Sequence, residues 1–402
     1  MSIFLTTVPV EEAIRVVRDI SPPPDEELVP LESAYNRILL RDITADIDIP
    51  GFTRSVVDGY AVHSADTTGA GEAIPVILRL TGRAAMGASV KQPPLPPGSC
   101  IYVPTGGEIP DGADAMAMIE YCEMLGDEVL VKRPLAAGEN IIFKGEDFRA
   151  GERVLERGRR LSPGDIGVLA ATGHSMVPVS AAPNVGIIST GNELVPVNEV
   201  PTGSRVRDVN TYLCRSFLEQ YGARPIQFGI VRDDPESFET ALDNALATCD
   251  AVLISGGSSK DDRDLTAGMI QSRGEVFVHG ISLAPGKPTI IGQANGKPVI
   301  GLPGHPASTF IVLLVIARHM ILGMTGNTSD SPVVVRGVLS ENIPSARGRE
   351  EYVRVKITGK GIVPLFGKSG LLNTLVKSNG VIRIPAGSEG IETGTEVEVI
   401  LW

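Results

Sequence analysis

The sequence is short of aromatic residues and of positive charge. Phe, Trp and Tyr make up 4% of its 402 residues, with a single Trp, and 36 Lys and Arg stand against 48 Asp and Glu, a formal net charge of −12. Nucleic-acid binding in general runs on basic surface and stacked rings, so this composition argues against it. Cysteine is scarce as well. Cys100, Cys122, Cys214 and Cys249 form no C-x-x-C pair, so spacing points to neither a zinc motif nor a disulfide framework. Long apolar runs are missing too. The longest, residues 310–317, is closed by Arg318 and His319 and is too short to span a bilayer. The start of the chain lacks a basic stretch and meets Glu11 and Glu12 early, unlike a signal peptide. These absences predict a cytoplasmic protein that uses neither nucleic acid nor membrane as a partner.

What is abundant is turn-forming residues, 45 Gly and 30 Pro spread along the chain. At about 100–200 residues per domain, the length predicts roughly two to four domains. Ala13, Ile14, Val16, Val17 and Ile20 have helix spacing, and SPPP at 21–24 stops that helix. A second short helix is predicted around 30–42. From 55 to 135 the runs VILRL (76–80), SCIYV (99–103), DAMAMIE (114–120) and EVLVKR (128–133) read as short strands, an inserted β module. Lys144, Arg149, Arg153, Arg157, Arg159 and Arg160 follow as a basic segment, either a solvated face or an anion contact. Ser162 and Pro163 read as a cap and first residue of a helix over 163–172.

From 183 strands and helices alternate. Apolar runs at 184–190, 224–231, 251–257 and 297–302 are joined through helices at 209–221, 235–247, 265–273 and a final one at 306–322, with further strands at 275–278 and 289–293. Continuous apolar strands with helical crossovers predict a parallel sheet buried on both faces, with ligands at its carboxyl ends. After residue 327 the alternation of apolar and polar residues returns and predicts a small C-terminal β-barrel or sandwich. The predicted fold class is therefore multidomain α/β plus β. Its units are an N-terminal part over 1–54 and 136–182, an inserted β domain over 55–135, an α/β domain over 183–327 and a β domain over 328–402.

Four strand-end loops share a chemistry. STGNEL (189–194) offers Ser189, Gly191 and Glu193, and VRDDP (231–235) offers Asp233 and Asp234. SGGSSKDDRD (255–264) offers Ser255, Gly256, Gly257, Ser258, Asp261, Asp262 and Asp264, and LPGHP (302–306) offers Pro303 and Gly304 at a helix start. Backbone N–H groups and hydroxyls there can hold phosphate. Carboxylates cannot, so a phosphorylated ligand beside them implies Mg²⁺ between the two negative charges. Each loop alone is also an ordinary turn, and Asp234 is as readily a helix cap. APGKP (284–288) sets Lys287 in a rigid turn, a surface lysine or an anion contact. Asp58, Thr105 and Asp147 lie in Gly-rich turns that identify no chemistry by themselves.

Taken in order, SVVDGYAV, PTGGEIPDGADA, KGED, STGNEL, GIVRDDP, SGG, PGKP, GLPGHPAS and NGVIRIPAGSEG resemble the MoeA family of molybdopterin molybdenumtransferases, which includes the gephyrin E domain. The resemblance implies an elongated homodimeric protein. Its parts are an N-terminal linker domain, an inserted β domain, a MogA-like α/β molybdopterin-binding domain with a parallel-rich sheet, and a C-terminal β-barrel domain. It implies insertion of molybdate, or tungstate, into adenylylated molybdopterin with Mg²⁺-dependent release of AMP. Glu193, Asp233 and Asp264 match the acidic, Mg²⁺-holding positions. Asp58, Thr105 and Asp147 match further catalytic positions. Lys287, Arg354 and Ser369 match substrate-binding ones. A MogA-like adenylyltransferase and molybdoenzyme or carrier proteins are implied partners. The sequence departs from the family pattern at Gly280 and Ala284, where lysines are usual, and at Asn192, Asp261 and His305. The lost cations leave Lys260, His279 and His305 as candidate replacements. Rival readings are a molybdopterin adenylyltransferase and a non-catalytic, molybdopterin-binding scaffold.

Overall fold

A computed structural model of the chain describes residues 7–87, 93–256 and 260–402, with the backbone alone over 260–264. Helix α1 (Val10–Ile20) forms where the sequence predicts it, with Ser21 ending it. The helix predicted around 30–42 does not form. Only Leu31–Ser33 makes a 3₁₀ turn, because Pro30 precedes it and Asn36 adopts a left-handed φ of 65° that breaks helical continuity. The chain then runs extended, bridging Ile38 to Arg160 and Leu39 to Val179.

Three antiparallel pairings bind early and late segments of the N-terminal part. Glu26–Pro30 pairs with Met176–Ser180, Ile43–Thr44 with Arg153–Leu155, and Arg54–Ser55 with Ile141–Ile142. Val29, Leu39, Ile43, Leu155, Leu169, Val177 and Val179 close a core between them. Between these segments lies a six-stranded sheet, in the order Ala115–Met118, Gly59–Val62, Ser99–Val103, Val76–Arg83, Glu128–Val131 and Cys122–Leu125. Alternate residues bury on its two faces. Tyr60, Val62, Ala115 and Ala117 pack on one and Ala61, Ile101 and Met116 on the other. Gly59 is required by close approach, since a Cβ there would lie 1.9 Å from the Ala117 carbonyl oxygen.

Helix α2 (Pro163–Ala171) begins with a reciprocal capping box. The Ser162 hydroxyl accepts from Asp165 N–H, and the Asp165 carboxylate accepts from Ser162 N–H. The basic segment before it is an ion-paired surface: Lys144 meets Asp48, Arg153 meets Asp42 and Glu156, and Arg159 meets Asp165.

The central sheet is built from β1 (Asn184–Thr190), β2 (Arg224–Val231), β3 (Ala251–Ser255), β4 (Gly274–His279), β5 (Ile290–Ala294) and β6 (Lys297–Leu302), in the order β2-β1-β3-β6-β5-β4. Strands β2, β1, β3 and β6 are parallel, and β5 pairs antiparallel with both β6 and β4, so β5 alone is reversed. The reversal has a local cause. Asn295 and Gly296 join β5 to β6 with φ of 49° and 75°, the two left-handed residues of a tight hairpin turn. Helices α3 (Asn210–Gln220), α4 (Pro235–Thr248) and α5 (Lys260–Arg273) connect the strands. The last helix of this region, α6, covers Pro306–Thr325 and contains one π-helical turn at Leu313–Ala317. It is long and apolar enough to cross a membrane, but 78% of its apolar window is buried inside the fold, and Ile311, Val312, Ile316 and Met320 join the core beneath the sheet. Helix α1 joins this same core through Val10, Ala13 and Val17. The segment 1–54 therefore divides, its first helix serving the α/β core and the remainder the N-terminal one.

In the C-terminal region Glu350–Thr358, Gly380–Ile384, Glu396–Leu401 and Val334–Val338 follow one another in a sheet, Gly361–Pro364 flanks the first, and a Leu339–Ile362 bridge closes the circuit around Val353, Val355, Ile382 and Val399. Leu283–Ala284, from the α/β region, adds to this sheet by pairing in parallel with Glu350 and Glu351.

Burial pushes the Asp165 carboxyl up. The Arg159 guanidinium and the Ser162 N–H and hydroxyl outweigh it and hold the group below the usual carboxylate range. A depressed carboxyl stabilises the fold above its unfolded pKa, and that stability is lost as pH falls through the folded value. Asp165→Asn should therefore lower stability by about 1 kcal/mol at neutral pH, and the gap from wild type should shrink as the pH approaches about 3. Urea unfolding at the two pH values checks this.

Candidate active site

The carboxyl ends of β1, β3 and β6 open into a cavity of about 640 Å³. It is lined by Thr190, Glu193, Ser255, Gly256, Gly304 and His305, by Arg205, Arg207 and Asp208 ahead of α3 and Asn210 at its first position, and by Gly370 and Leu372 from the C-terminal region. Two glycines permit the close approach of its walls. Gly256 has φ +151°, and a Cβ there would lie 2.1 Å from Thr190 Oγ1; one at Gly191 would lie 2.7 Å from the Glu193 carboxylate. Ser189 is fully buried and its hydroxyl meets Thr211 Oγ1 at 2.8 Å, so it braces the end of β1 behind the cavity wall.

The β1 and β2 loops are joined where Asn192 N–H donates to Asp233 Oδ2 at 3.0 Å. Asp234 caps α4: its carboxylate accepts from Ser237 N–H at 2.9 Å, and that bond holds the carboxyl below its usual range. This separates the two aspartates, one a cap and the other a loop carboxylate. Gly257 and Ser258 lie outside the described residues, and Asp264 is placed on α5 by its backbone alone. Among the described residues no group of three His, Cys, Asp or Glu is placed to hold a metal. Glu193 and Asp233 nevertheless sit on adjacent loops and offer hard oxygen donors, which suit Mg²⁺.

A second cavity of about 300 Å³ shares Gly304 and His305 with the first and is further lined by Lys287, Pro303, Ser308, Arg349 and Ser369. Gly286 is needed in its wall: φ is +133°, and a Cβ would lie 2.9 Å from both Leu283 and Val312 side-chain carbons. A third cavity, about 240 Å³, shares Ser369 and contains Arg354. Arg354 is 6% exposed and donates through Nη2 to the Gly367 carbonyl, while Nε and Nη1 find no partner among the described residues. Burial pushes its guanidinium pKa down. A buried cation so poorly partnered is costly unless an anion completes it.

Asp58, Thr105 and Asp147 line none of these cavities. Asp58 Oδ1 accepts from Thr105 N–H at 2.9 Å, and Asp147 N–H donates to Ile49, so the structure joins the first two and holds all three in the N-terminal half. Of the candidate replacement cations, His305 faces the cavities, whereas His279 Nε2 is buried with no partner among the described residues.

Sequence reading missed Asn210 and Asp208. The Asn210 carboxamide donates to Ser255 Oγ and to the Gly304 carbonyl, both at 2.8 Å, so one side chain spans the β3 and β6 loops. Buried Asp208 accepts from Thr211 N–H at 3.1 Å and fixes the start of α3. Asp-x-Asn just before a helix was a readable capping signal, whereas the reach of Asn210 across the sheet depends on the fold. Asn210→Ala leaves the Gly304 carbonyl without this donor. It should cost about 1–3 kcal/mol, read as a lower midpoint of urea unfolding.

Comparison with known proteins places this geometry. Models of the MoeA N-terminal region (domain I and II), a probable molybdopterin binding domain and the MoeA C-terminal region (domain IV) match residues 8–173, 186–322 and 336–402. A molybdopterin molybdenumtransferase from Staphylococcus aureus is 32% identical over 401 residues, covering 98% of this chain and 95% of that protein. One from Bacillus subtilis is 31% identical over 406 residues, covering 98% and 94%. The crystal structure of a molybdopterin biosynthesis MoeA protein from Pyrococcus horikoshii superposes with a TM-score of 0.87 at 34% identity, covering 99% of this chain and 100% of that one. The chain belongs to the MoeA family of molybdopterin molybdenumtransferases, enzymes of molybdenum cofactor biosynthesis.

Proposed function

We propose that this chain inserts molybdate or tungstate into adenylylated molybdopterin with Mg²⁺-dependent release of AMP. The observation that carries this reading is that three neighbouring cavities share lining residues. The crevice with Glu193 and Asp208 shares Gly304 and His305 with the pocket holding Lys287 and Arg349, and that pocket shares Ser369 with the one lined by Glu351 and the under-partnered Arg354. A ligand with a phosphate at one end and an oxyanion acceptor at the other suits that order of charges.

The backbone N–H groups and hydroxyls of the β3 and β6 loops, from Ser255, Gly256, Gly257, Ser258 and Gly304, hold the pterin phosphate, and Pro303 shapes the turn that presents Gly304. Glu193, Asp233 and Asp264 would hold Mg²⁺, which supplies positive charge against the phosphoanhydride. Asn192 N–H keeps Asp233 turned toward the β1 loop. Lys287, Ser369 and Arg354 face the oxyanion, in a setting where fixed donors act without reorganising. A role as scaffold alone gives Arg354 no reason to remain buried and short of partners. An adenylyltransferase has no use for an oxyanion pocket built partly by the C-terminal region.

Asp58, Thr105 and Asp147 lie away from these cavities, which supports a homodimer in which a second copy of the chain supplies them. Two inactive variants, Asp58→Ala and Asp233→Ala, should then regain activity when mixed and allowed to exchange subunits, up to about a quarter of wild type, because random pairing makes half of the dimers mixed and each mixed dimer has one intact site of its two. Absence of any regain with exchange demonstrated by mass would contradict the shared site. Glu193→Gln and Asp233→Asn should each lower the rate of AMP release by about a hundredfold or more while leaving the melting temperature near wild type. Wild-type rates in both would sink the mechanism. Arg354→Met should melt higher, by about 1 kcal/mol or more in stability, yet lose oxyanion-dependent turnover. Calorimetry paired with the AMP assay reads both.

A further inference from the structure

The 300 Å³ cavity is lined by Lys287, Arg349, His305, Ser308 and Ser369, and no carboxylate is among its described lining residues. Two of these side chains touch: Ser369 Oγ lies 2.9 Å from His305 Nδ1. The contact is held from both sides. The Ser369 carbonyl accepts from Ala307 N–H at 3.1 Å, and the His305 carbonyl accepts from Thr309 N–H at 2.9 Å, so the serine loop is fastened to the first turn of α6. His305 also lines the larger crevice and stands between the two spaces.

A serine hydroxyl has one proton to give. When Nδ1 is bare it takes that proton, and Ser369 turns only lone pairs toward the cavity, an unfavourable face for an anion. When Nδ1 carries a hydrogen it donates to Oγ, and the hydroxyl proton is free to point at an anion. An imidazolium carries hydrogen on both nitrogens, so protonation makes the second arrangement compulsory. We propose that His305 is a positioning residue that sets the direction of the Ser369 hydroxyl and thereby the affinity of this cavity for a tetrahedral oxyanion. Oxyanion affinity is then higher for the imidazolium than for the ring with Nδ1 bare. Among the described residues, the charged groups that line these cavities with His305 are Lys287 and Arg349 in the smaller, and Glu193, Asp208, Arg205 and Arg207 in the larger. Imidazole is the side-chain type among them that ordinarily changes charge between about pH 5 and 8.

This inference rests on the oxyanion reading of the cavity given above. The test is equilibrium dialysis of molybdate alone against the full chain, at about pH 6 and about pH 8. Wild type, Lys287→Ala, His305→Asn and Ser369→Ala are compared, with melting temperatures confirming that each variant is folded. Wild type should bind about tenfold more tightly at the lower pH, the effect of one gained donor to a charged ligand. His305→Asn should bind with the same affinity at both values, since a carboxamide N–H can donate to Oγ at either. Ser369→Ala should bind weakly with most of the pH dependence gone, and Lys287→Ala weakly at both. A wild-type pH dependence in His305→Asn would overturn the inference. So would one in Ser369→Ala, because imidazole charge alone would then explain it; in either case the oxyanion reading stands. Unaltered binding by Lys287→Ala, or no binding by wild type, would remove the oxyanion reading and the inference with it.

Discussion

The site depends on the burial of β1, β3 and β6 on both faces. Val185, Ile187, Leu253 and Ile300 enter the core beneath the sheet, and Ile188, Val252, Ile254 and Val299 the core above it. Each such side chain contributes about 1.5–3 kcal/mol when removed from water, so the strands cannot shift register without exposing both layers. Their carboxyl ends are therefore fixed points. Loops leaving fixed points can be short and can carry the site's charged groups and close approaches, among them Glu193, Asp233 and the contact of Gly256 with Thr190.

The C-terminal region is attached to that frame by backbone as much as by side chains. Leu283–Ala284 pairs with Glu350 and Glu351, Glu350 N–H donates to the Ser282 carbonyl, and Ala307 N–H donates to Ser369. The Lys287 turn and the Ser369 loop are thus anchored in both regions, and the cavity between them has rigid walls on each side. Arg354 lies in the strand that makes the first of these attachments. In that strand Arg354 pairs with Val381, and its Nη2 donates to the Gly367 carbonyl.

Much of this was legible from sequence because the central strands are continuously apolar and the outer ones alternate. Those two patterns separate a doubly covered sheet from a half-exposed one. The cap of α2 was legible because Ser162 and Pro163 act locally. The misread helix at 30–42 looked plausible from its composition. Asn36 in a left-handed conformation and pairing to residues 160 and 179 decide otherwise, and distant pairing is invisible to a local pattern. The antiparallel β5–β6 turn was readable in Asn295-Gly296 but was overshadowed by the βα rhythm around it. At the site, the loops that would carry ligands followed from strand ends alone. The brace from Ser189 to Thr211, the span of Asn210 and the contact between His305 and Ser369 join segments 22, 45, 94 and 64 residues apart. They became visible only when the fold brought those segments together.

The central claim is that neighbouring cavities sharing Gly304, His305 and Ser369 couple an oxyanion to cleavage of a pterin-linked phosphoanhydride. It is tested most directly by AMP release from adenylylated molybdopterin with Mg²⁺, comparing molybdate, tungstate and no oxyanion on the wild-type protein. The account predicts release that requires an oxyanion, with the preferred one naming the cofactor made. Tight binding of the adenylylated pterin with no release under any of the three conditions would contradict it.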